Sequence, residues 1–324
     1  MHVLQGLDSV PAALTGAALA IGNFDGVHRG HQAVLAATIA HARASGHPSG
    51  VMVFEPHARA YFQPDRILFR LTSLPRKLEL FQALGLDLAV VMAFDKSLAE
   101  LSAREFAECI LVGRLGVCHV VVGYDFFFGK GRQGTPETLR ALGQELGFGV
   151  TIIAPEGTSG EVFSSTRIRE LLAEGHVRDA ADMLGHWWRI TGTVVGGAKR
   201  GTWLGYPTAN IQLAPGVQLR HGIYAVRVYD GASTYAGAAY LGTRPTYDNG
   251  KAVLEVFIFD FDGNLYGREI EVEFLAHIRS DAKFASSDAL KAQMDKDCEA
   301  AAAVIRAIDA DDPMRITGRA SDRI

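Results

Sequence analysis

Cysteine is scarce in this chain: Cys109, Cys118 and Cys298 are the only three in 324 residues. An odd, widely spaced trio makes neither an even disulfide framework nor a metal-ligand spacing, which excludes disulfide-stapled and zinc-ribbon classes. The three read as small buried or half-buried hydrophobes suited to a reducing cytosol. Long apolar runs are missing too. No segment reaches about 18 uninterrupted apolar residues, and no basic stretch followed by an apolar one opens the chain, so a cytoplasmic protein without membrane attachment is expected. Positive charge is not in excess: 32 Lys and Arg against 36 Asp and Glu give a formal net charge of −4. That balance argues against a nucleic-acid partner, which favours a concentrated basic face. Internal repeats and low-complexity segments are lacking. What remains is an ordinary globular balance, 48% hydrophobic and 21% charged, in a chain long enough for two domains with separate cores.

Two rhythms divide the chain. Up to about residue 185, short apolar runs at 17–21, 50–54, 88–93, 119–123 and 150–153 alternate with helical patterns at 32–44, 75–84, 103–111 and 136–146. Such alternation predicts a parallel sheet covered on both faces. A helix is expected over 168–184, ending at Gly185. From Trp187 the pattern becomes β-rich, at 189–195, 223–229, 234–241, 252–261 and 269–275, with Asp230-Gly231 and Asp262-Gly263 as turns. This predicts an antiparallel barrel or sandwich. A helix is expected over 287–308, and the tail from Asp309 is expected to be polar and frayed.

The stretch Ala20-Ile-Gly-Asn-Phe-Asp-Gly-Val-His-Arg-Gly-His31 carries the densest chemistry. A strand running through Gly22, Asn23 and Gly26 into a helix near His28 puts free N–H groups and a helix N-terminus at one point. His28 and His31, three apart, share one face of the first turn, and Gly30 between them permits close approach to the backbone. Together they suit a polyphosphate; two solvated histidines in a turn is the competing account. Downstream, Ser164-Ser165-Thr166-Arg167-Ile168-Arg169 opens a helix with arginines where the dipole prefers acids, which makes sense if an anion docks there. The pattern Gly129-x-Gly131-x-x-Gly134 satisfies a dinucleotide fingerprint, but aromatic residues 126–128 separate it from the preceding strand.

In the second half, Gly205-Tyr-Pro-Thr-Ala-Asn210 places Thr208 and Asn210 on one side of an extended segment. Their oxygens are hard donors fit for Mg²⁺ beside nucleotide phosphates. The preceding Gly196–Gly201 run offers glycine backbone with Lys199 and Gly201 as a phosphate cradle; a glycine-rich hairpin with a proline turn is the plain alternative. Glu255 is the lone acid in the apolar strand 253–259, which fits either a structural ion pair or a general base near a substrate hydroxyl.

The run GNFDGVHRGH with the later Ser-Ser-Thr-x-Ile-Arg, and Pro-Thr-Ala-Asn followed by the strand glutamate and Asp260-Phe-x-Gly-x-Leu-Tyr-Gly267, resemble the prokaryotic bifunctional riboflavin kinase/FMN adenylyltransferase family over about residues 15 to 305. The resemblance implies an α/β nucleotidyltransferase-like parallel-sheet domain at 1–185. An antiparallel riboflavin kinase β-barrel with a C-terminal helix would follow at 186–310, then a polar tail at 311–324. It implies ATP-dependent phosphorylation of riboflavin to FMN and adenylylation of FMN to FAD, with Mg²⁺ in each step. By the same resemblance, Ser164, Ser165, Thr166 and Arg169 bind triphosphate opposite His28 and His31. Asp125 then lies in a nucleotide-side loop, and Arg279 is a flavin contact. Phe54-Glu-Pro-His57 is also similar to the family. Departures occur at Phe127, where the family more often has arginine, at Thr135, where it more often has an acid, and at Tyr240-Leu241, where many members carry Asn-Ile. A nucleotidyltransferase for another phosphate ester, fused to a barrel that only binds flavin, and a flavin-binding regulator without catalysis are the other readings. The sequence leaves the oligomeric state, including a homo-oligomer, open.

Overall fold

The computed structural model describes residues 1–158, 160–196, 206–243, 252–312 and 314. They fall into two compact units, one of residues 1–68 and 72–164, the other of residues 69–71 and 165 onward.

The first unit is built on six parallel strands: β1 (His2–Gln5), β2 (Ala18–Ile21), β3 (Ser49–Glu55), β4 (Leu88–Ala93), β5 (His119–Gly123) and β6 (Gly149–Ile153). Their order is β1-β4-β3-β2-β5-β6. All four residues of β2 are buried, as a strand covered on both faces requires. Strands β2 and β5 are neighbours, and from them the chain builds outward in opposite directions. That reversal is the switch point where the loops leaving two adjacent strands part and a ligand crevice opens. The helices of this unit are α1 (Arg29–Ser45), α2 (Ala58–Phe62), α3 (Leu74–Leu84), α4 (Lys96–Ala99), α5 (Ala103–Glu105) and α6 (Pro136–Leu146). The helix expected over 103–111 begins as α5 under a Ser102–Glu105 capping box, then continues as a π-wound turn over Phe106–Val112 that buries Phe106, Ala107 and Leu111. Residues Gly157–Thr158 (β7) and Glu161–Val162 (β8) form a short antiparallel ribbon.

The second unit begins with α7 (Ser165–Glu174) and α8 (Val177–Leu184). The single helix expected over 168–184 is thus two. Gly175, at φ +85, sits in the left-handed region between them, and a Cβ there would press on Arg220 Cδ at 2.9 Å. The strands β9 (Arg189–Val195), β10 (Thr208–Ile211), β11 (Gly222–Asp230), β12 (Ser233–Thr243), β13 (Ala252–Ile258) and β14 (Glu269–Arg279) close into an antiparallel barrel. Along β13, Leu254, Val256 and Ile258 are buried, whereas Val253, Glu255 and Phe257 are half-buried. Helix α9 (Ser287–Ala310) lays Ala301 and Ile305 in a cluster with Ala225, Ala238, Leu275, Ala181 and Trp187.

The expectation of a frayed tail from Asp309 is corrected for its first residues. Arg227, in mid-strand and 2% exposed, donates to Asp309 and Asp312, both at 2.6 Å, and to Glu273 at 2.8 Å. Trp187 Nε1 donates to Asp312 at 2.9 Å, and Met314 is buried. A buried guanidinium needs carboxylates; the last turn of α9 supplies Asp309 and the chain just after it Asp312.

Candidate functional sites

At the end of β2 the chain makes a tight turn with positive φ at Phe24 (48°), Gly26 (88°) and Val27 (44°). Left-handed backbone at a buried β-branched residue such as Val27 is rare and persists only when its surroundings enforce it. They do. Asp25 Oδ1 accepts from the Thr72 N–H at 3.1 Å, the Gly26 N–H donates to Thr72 Oγ1 at 3.0 Å, and Lys77 Nζ donates to the Asn23 carbonyl at 2.6 Å. The turn delivers His28 as N-cap of α1, its Nδ1 accepting from the His31 N–H at 3.3 Å. That bond leaves the neutral ring's proton on Nε2. The two imidazoles stack with centroids 3.6 Å apart. A Cβ at Gly30 would stand 3.2 Å from the His28 ring, so the small residue between the histidines lets them approach.

Burial, then the neighbouring His28 and Lys77, push the His31 pKa well below its ordinary value; at neutral pH it is an uncharged hydrogen-bonding group. His31 Nδ1 and Asn23 Oδ1 are buried without a partner among the described residues. Buried polar atoms are almost always satisfied, and two exceptions close to one helix N-terminus make this turn the candidate ligand site of the first unit. Lys77, 2% exposed, is a member that sequence reasoning missed: it lies inside a helical pattern, and only its burial singles it out.

The other residues expected on this side are distributed as follows. Asp125 is exposed just beyond β5, at the same end of the sheet as the histidine turn. Phe127 is 45% exposed, with the Arg132 guanidinium 4.9 Å over its ring. Thr135 caps α6 by accepting from the Thr138 N–H. The Gly129–Gly134 fingerprint is a loop closed by a bridge between Phe128 and Gly134, with Gly129, Gly131 and Arg132 at positive φ, and not a strand-to-helix phosphate turn. Ser164 groups with the first unit, whereas Ser165, Thr166 and Arg169 lie in α7 and group with the second. Arg169 donates from Nε to the Phe69 carbonyl at 2.7 Å and from Nη1 to the Ser165 carbonyl at 3.1 Å.

The second site lies on the barrel. Asn210 of β10 pairs with Glu255 of β13, Glu255 with Tyr240 of β12, Tyr240 with Ile223 of β11, and Ile223 with Arg279 of β14. Directly opposite residues on neighbouring strands share a face. The register therefore brings Asn210, Glu255, Tyr240 and Arg279 into one transverse row, with Thr208 on the same side of β10. A hydroxyl, an amide and a carboxylate lie together. Among the described residues no group of three or more His, Cys, Asp or Glu is placed to hold a metal. Arg279 is engaged by Asp297 of α9, Nε to Oδ1 at 2.8 Å and Nη2 to Oδ2 at 2.6 Å. Lys199 and Gly201 lie outside the described residues.

A parallel-sheet unit with a histidine turn at the start of α1, followed by a closed barrel with a carboxylate on the same face as hard oxygen donors, fits a two-part enzyme of nucleotide-dependent group transfer. A family model for FAD synthetase matches residues 10–167 and one for riboflavin kinase matches residues 184–305. The bifunctional riboflavin kinase/FMN adenylyltransferase of Haemophilus influenzae is 40% identical over 304 residues, covering 94% of this chain and 99% of that protein. The same-named protein of Pseudomonas fluorescens is 40% identical over 305 residues, covering 94% and 98%. A solved structure described as a macrolide-efflux protein from Streptococcus pneumoniae superposes with a TM-score of 0.82 at 29% identity, covering 91% of this chain and 96% of that one. Among the described residues no helix is long and apolar enough to cross a membrane. The chain belongs to the bifunctional riboflavin kinase/FMN adenylyltransferase family, and is an enzyme with both activities.

Proposed function

We propose that the two sites divide the two reactions, with adenylylation carried by residues 1–185, phosphorylation by 186–310, and 311–324 as a tail. In the kinase step the terminal ribityl hydroxyl of riboflavin attacks the γ-phosphorus of ATP, ADP leaves, and Glu255 takes the hydroxyl proton. The observation that supports this is the cross-strand pair of Glu255 and Asn210. The side-chain oxygens of Thr208 and Asn210 are hard donors that would hold Mg²⁺, and the ion would neutralise charge on the transferred phosphate. Lys199 and Gly201 are assigned to the ATP phosphates from their sequence context.

In the adenylyl step an FMN phosphate oxygen attacks the α-phosphorus of ATP and pyrophosphate leaves. The nucleophile is already an anion and needs no strong base. The α1 N-terminus, His28 and an uncharged His31 stabilise the charge that develops on the transferred and departing phosphates. Gly22 and Asn23 shape the turn, and Asp125, Ser164, Ser165, Thr166 and Arg169 are assigned to the nucleotide. The free thiols suit the reducing cytoplasm, and the net charge of −4 suits small anionic and flavin substrates held by local sites and not a nucleic acid.

Incubation with riboflavin, ATP and Mg²⁺, with chromatographic separation of FMN and FAD, tests this assignment through two variants. His31→Ala should lower the FAD-forming rate by about 10²–10³, the usual cost of one preorganised donor, while FMN forms normally. Glu255→Gln should lower the kinase rate by about 10²–10⁴, with FMN adenylylation intact. Equal loss of both activities in either variant would refute the division.

A further inference from the structure

In the transverse row, the position between Glu255 and Ile223 is held by Tyr240, whose side chain does more than fill a strand. A Cβ at Gly242 would collide with the Tyr240 ring and hydroxyl, so the ring lies flat along its own strand across a residue that has no side chain. Its hydroxyl donates to Asp281 Oδ2 at 3.2 Å. Asp281 Oδ1 in turn accepts from the Ala282 N–H at 2.9 Å, just beyond β14. On the other side the same segment is tied to α9, because Arg279 holds Asp297 and lies 5.6 Å over the Phe284 ring. Tyr240 thus stands opposite Glu255 in the register and reaches the 279–284 segment through its hydroxyl. The half-buried ring offers apolar, polarisable surface on the face of the barrel that also carries Glu255, directly opposite Tyr240 in the register.

We propose that Tyr240 is an acceptor-positioning residue of the kinase site: its ring packs against the acceptor beside Glu255. This rests on the reading of Glu255 as the base. The chemistry selects a planar aromatic acceptor carrying a flexible alcohol, since an aromatic wall contributes most to a flat π-system, while the carboxylate next to it needs only the hydroxyl. Tyr240 acts on where the acceptor lies and takes no proton.

The test is steady-state kinase kinetics on the full chain across riboflavin concentrations, for wild type, Tyr240→Phe, Tyr240→Leu and Glu255→Gln. Leucine keeps apolar bulk and removes the ring, so Tyr240→Leu should raise the riboflavin KM by about five- to tenfold, with kcat within about threefold. Phenylalanine restores the ring and should return KM to within about threefold of wild type. KM for ATP, the rate of adenylylation of supplied FMN and the melting temperature should not move. An unchanged riboflavin KM in Tyr240→Leu, or a fall in kcat with KM unmoved, would overturn the proposal, as would a general loss of both activities with a lower melting temperature. Full kinase turnover in Glu255→Gln would instead remove the base assignment, and the KM split at Tyr240 would still be read independently of it.

Discussion

His28 and His31 look equivalent by spacing, and the structure separates them. His28 lends its Nδ1 to the His31 N–H, while the half-buried His31 keeps its own Nδ1 out of solvent. Because burial depresses the His31 pKa below 6.5, the folded protein binds fewer protons at this ring than the unfolded chain. The sign follows from linkage: stability is full above about pH 6.5 and is lost as pH falls below it, towards the lowered folded value. His31→Gln, which cannot titrate, should flatten this acid-side loss. Melting temperatures of the two proteins between pH 5 and 8 check the outcome, and identical slopes would show that His31 does not carry the dependence. The histidine pair was legible because a period of three on a helix is a local property. Lys77, 46 residues past His31, was not, because its role depends on which helix the tertiary fold lays against the turn.

Among the elements, those with strong periodicity emerged within a residue or two of their expected bounds, as Leu88–Ala93, His119–Gly123, Pro136–Leu146 and Arg189–Val195 show. β1 (His2–Gln5) was missed because it is an edge strand with an exposed, mixed sequence. The short β10 is specified by its pairing with β13 and not by any run of its own. The largest error was to read charge after residue 308 as a sign of fraying. A formal count of carboxylates cannot reveal that Arg227, within an apolar strand pattern, is waiting for them across 82 and 85 residues. Arg227→Ala would leave Asp312, 4% exposed, without its cation and strip Glu273, 3% exposed, of one of its two guanidinium partners, Arg189 remaining at 2.7 Å. Breaking a buried pair in this way costs about 3–5 kcal/mol, whereas the half-exposed Asp309 adds little. The barrel should therefore melt earlier in Arg227→Ala, with kinase activity lost on warming before adenylylation. Unaltered melting would show that the network carries no net stability.

Composition and rhythm placed the change of architecture near Gly185, whereas the compact units part between Ser164 and Ser165. The difference is physical. Helices α7 and α8 are α-helical like those before them, so pattern alone groups them with the sheet, but their apolar faces are covered by the barrel's unit. Ala180, Ala181 and Leu184 of α8 are fully buried, and Ala181 packs in the cluster of Trp187, Leu275, Ala301 and Ile305. Even residues 69–71 belong there, since Trp188 Nε1 donates to the Leu71 carbonyl at 2.9 Å. A fragment beginning at 186 discards the buried side chains Ile168, Leu171, Leu172, Val177 and Leu184, each worth about 1.5–3 kcal/mol when buried. The sum is comparable to the roughly 5–15 kcal/mol that holds a domain together. A fragment of residues 165–324 should accordingly fold, phosphorylate riboflavin and form no FAD. The 186–324 fragment should melt at a markedly lower temperature, expose apolar surface to a dye and lose kinase activity as its barrel opens. Both fragments would be compared by circular-dichroism melts and by FMN formation under the same conditions. If 186–324 matches the longer fragment in melting and rate, α7 and α8 are passengers, and the boundary lies where the sequence rhythm changes.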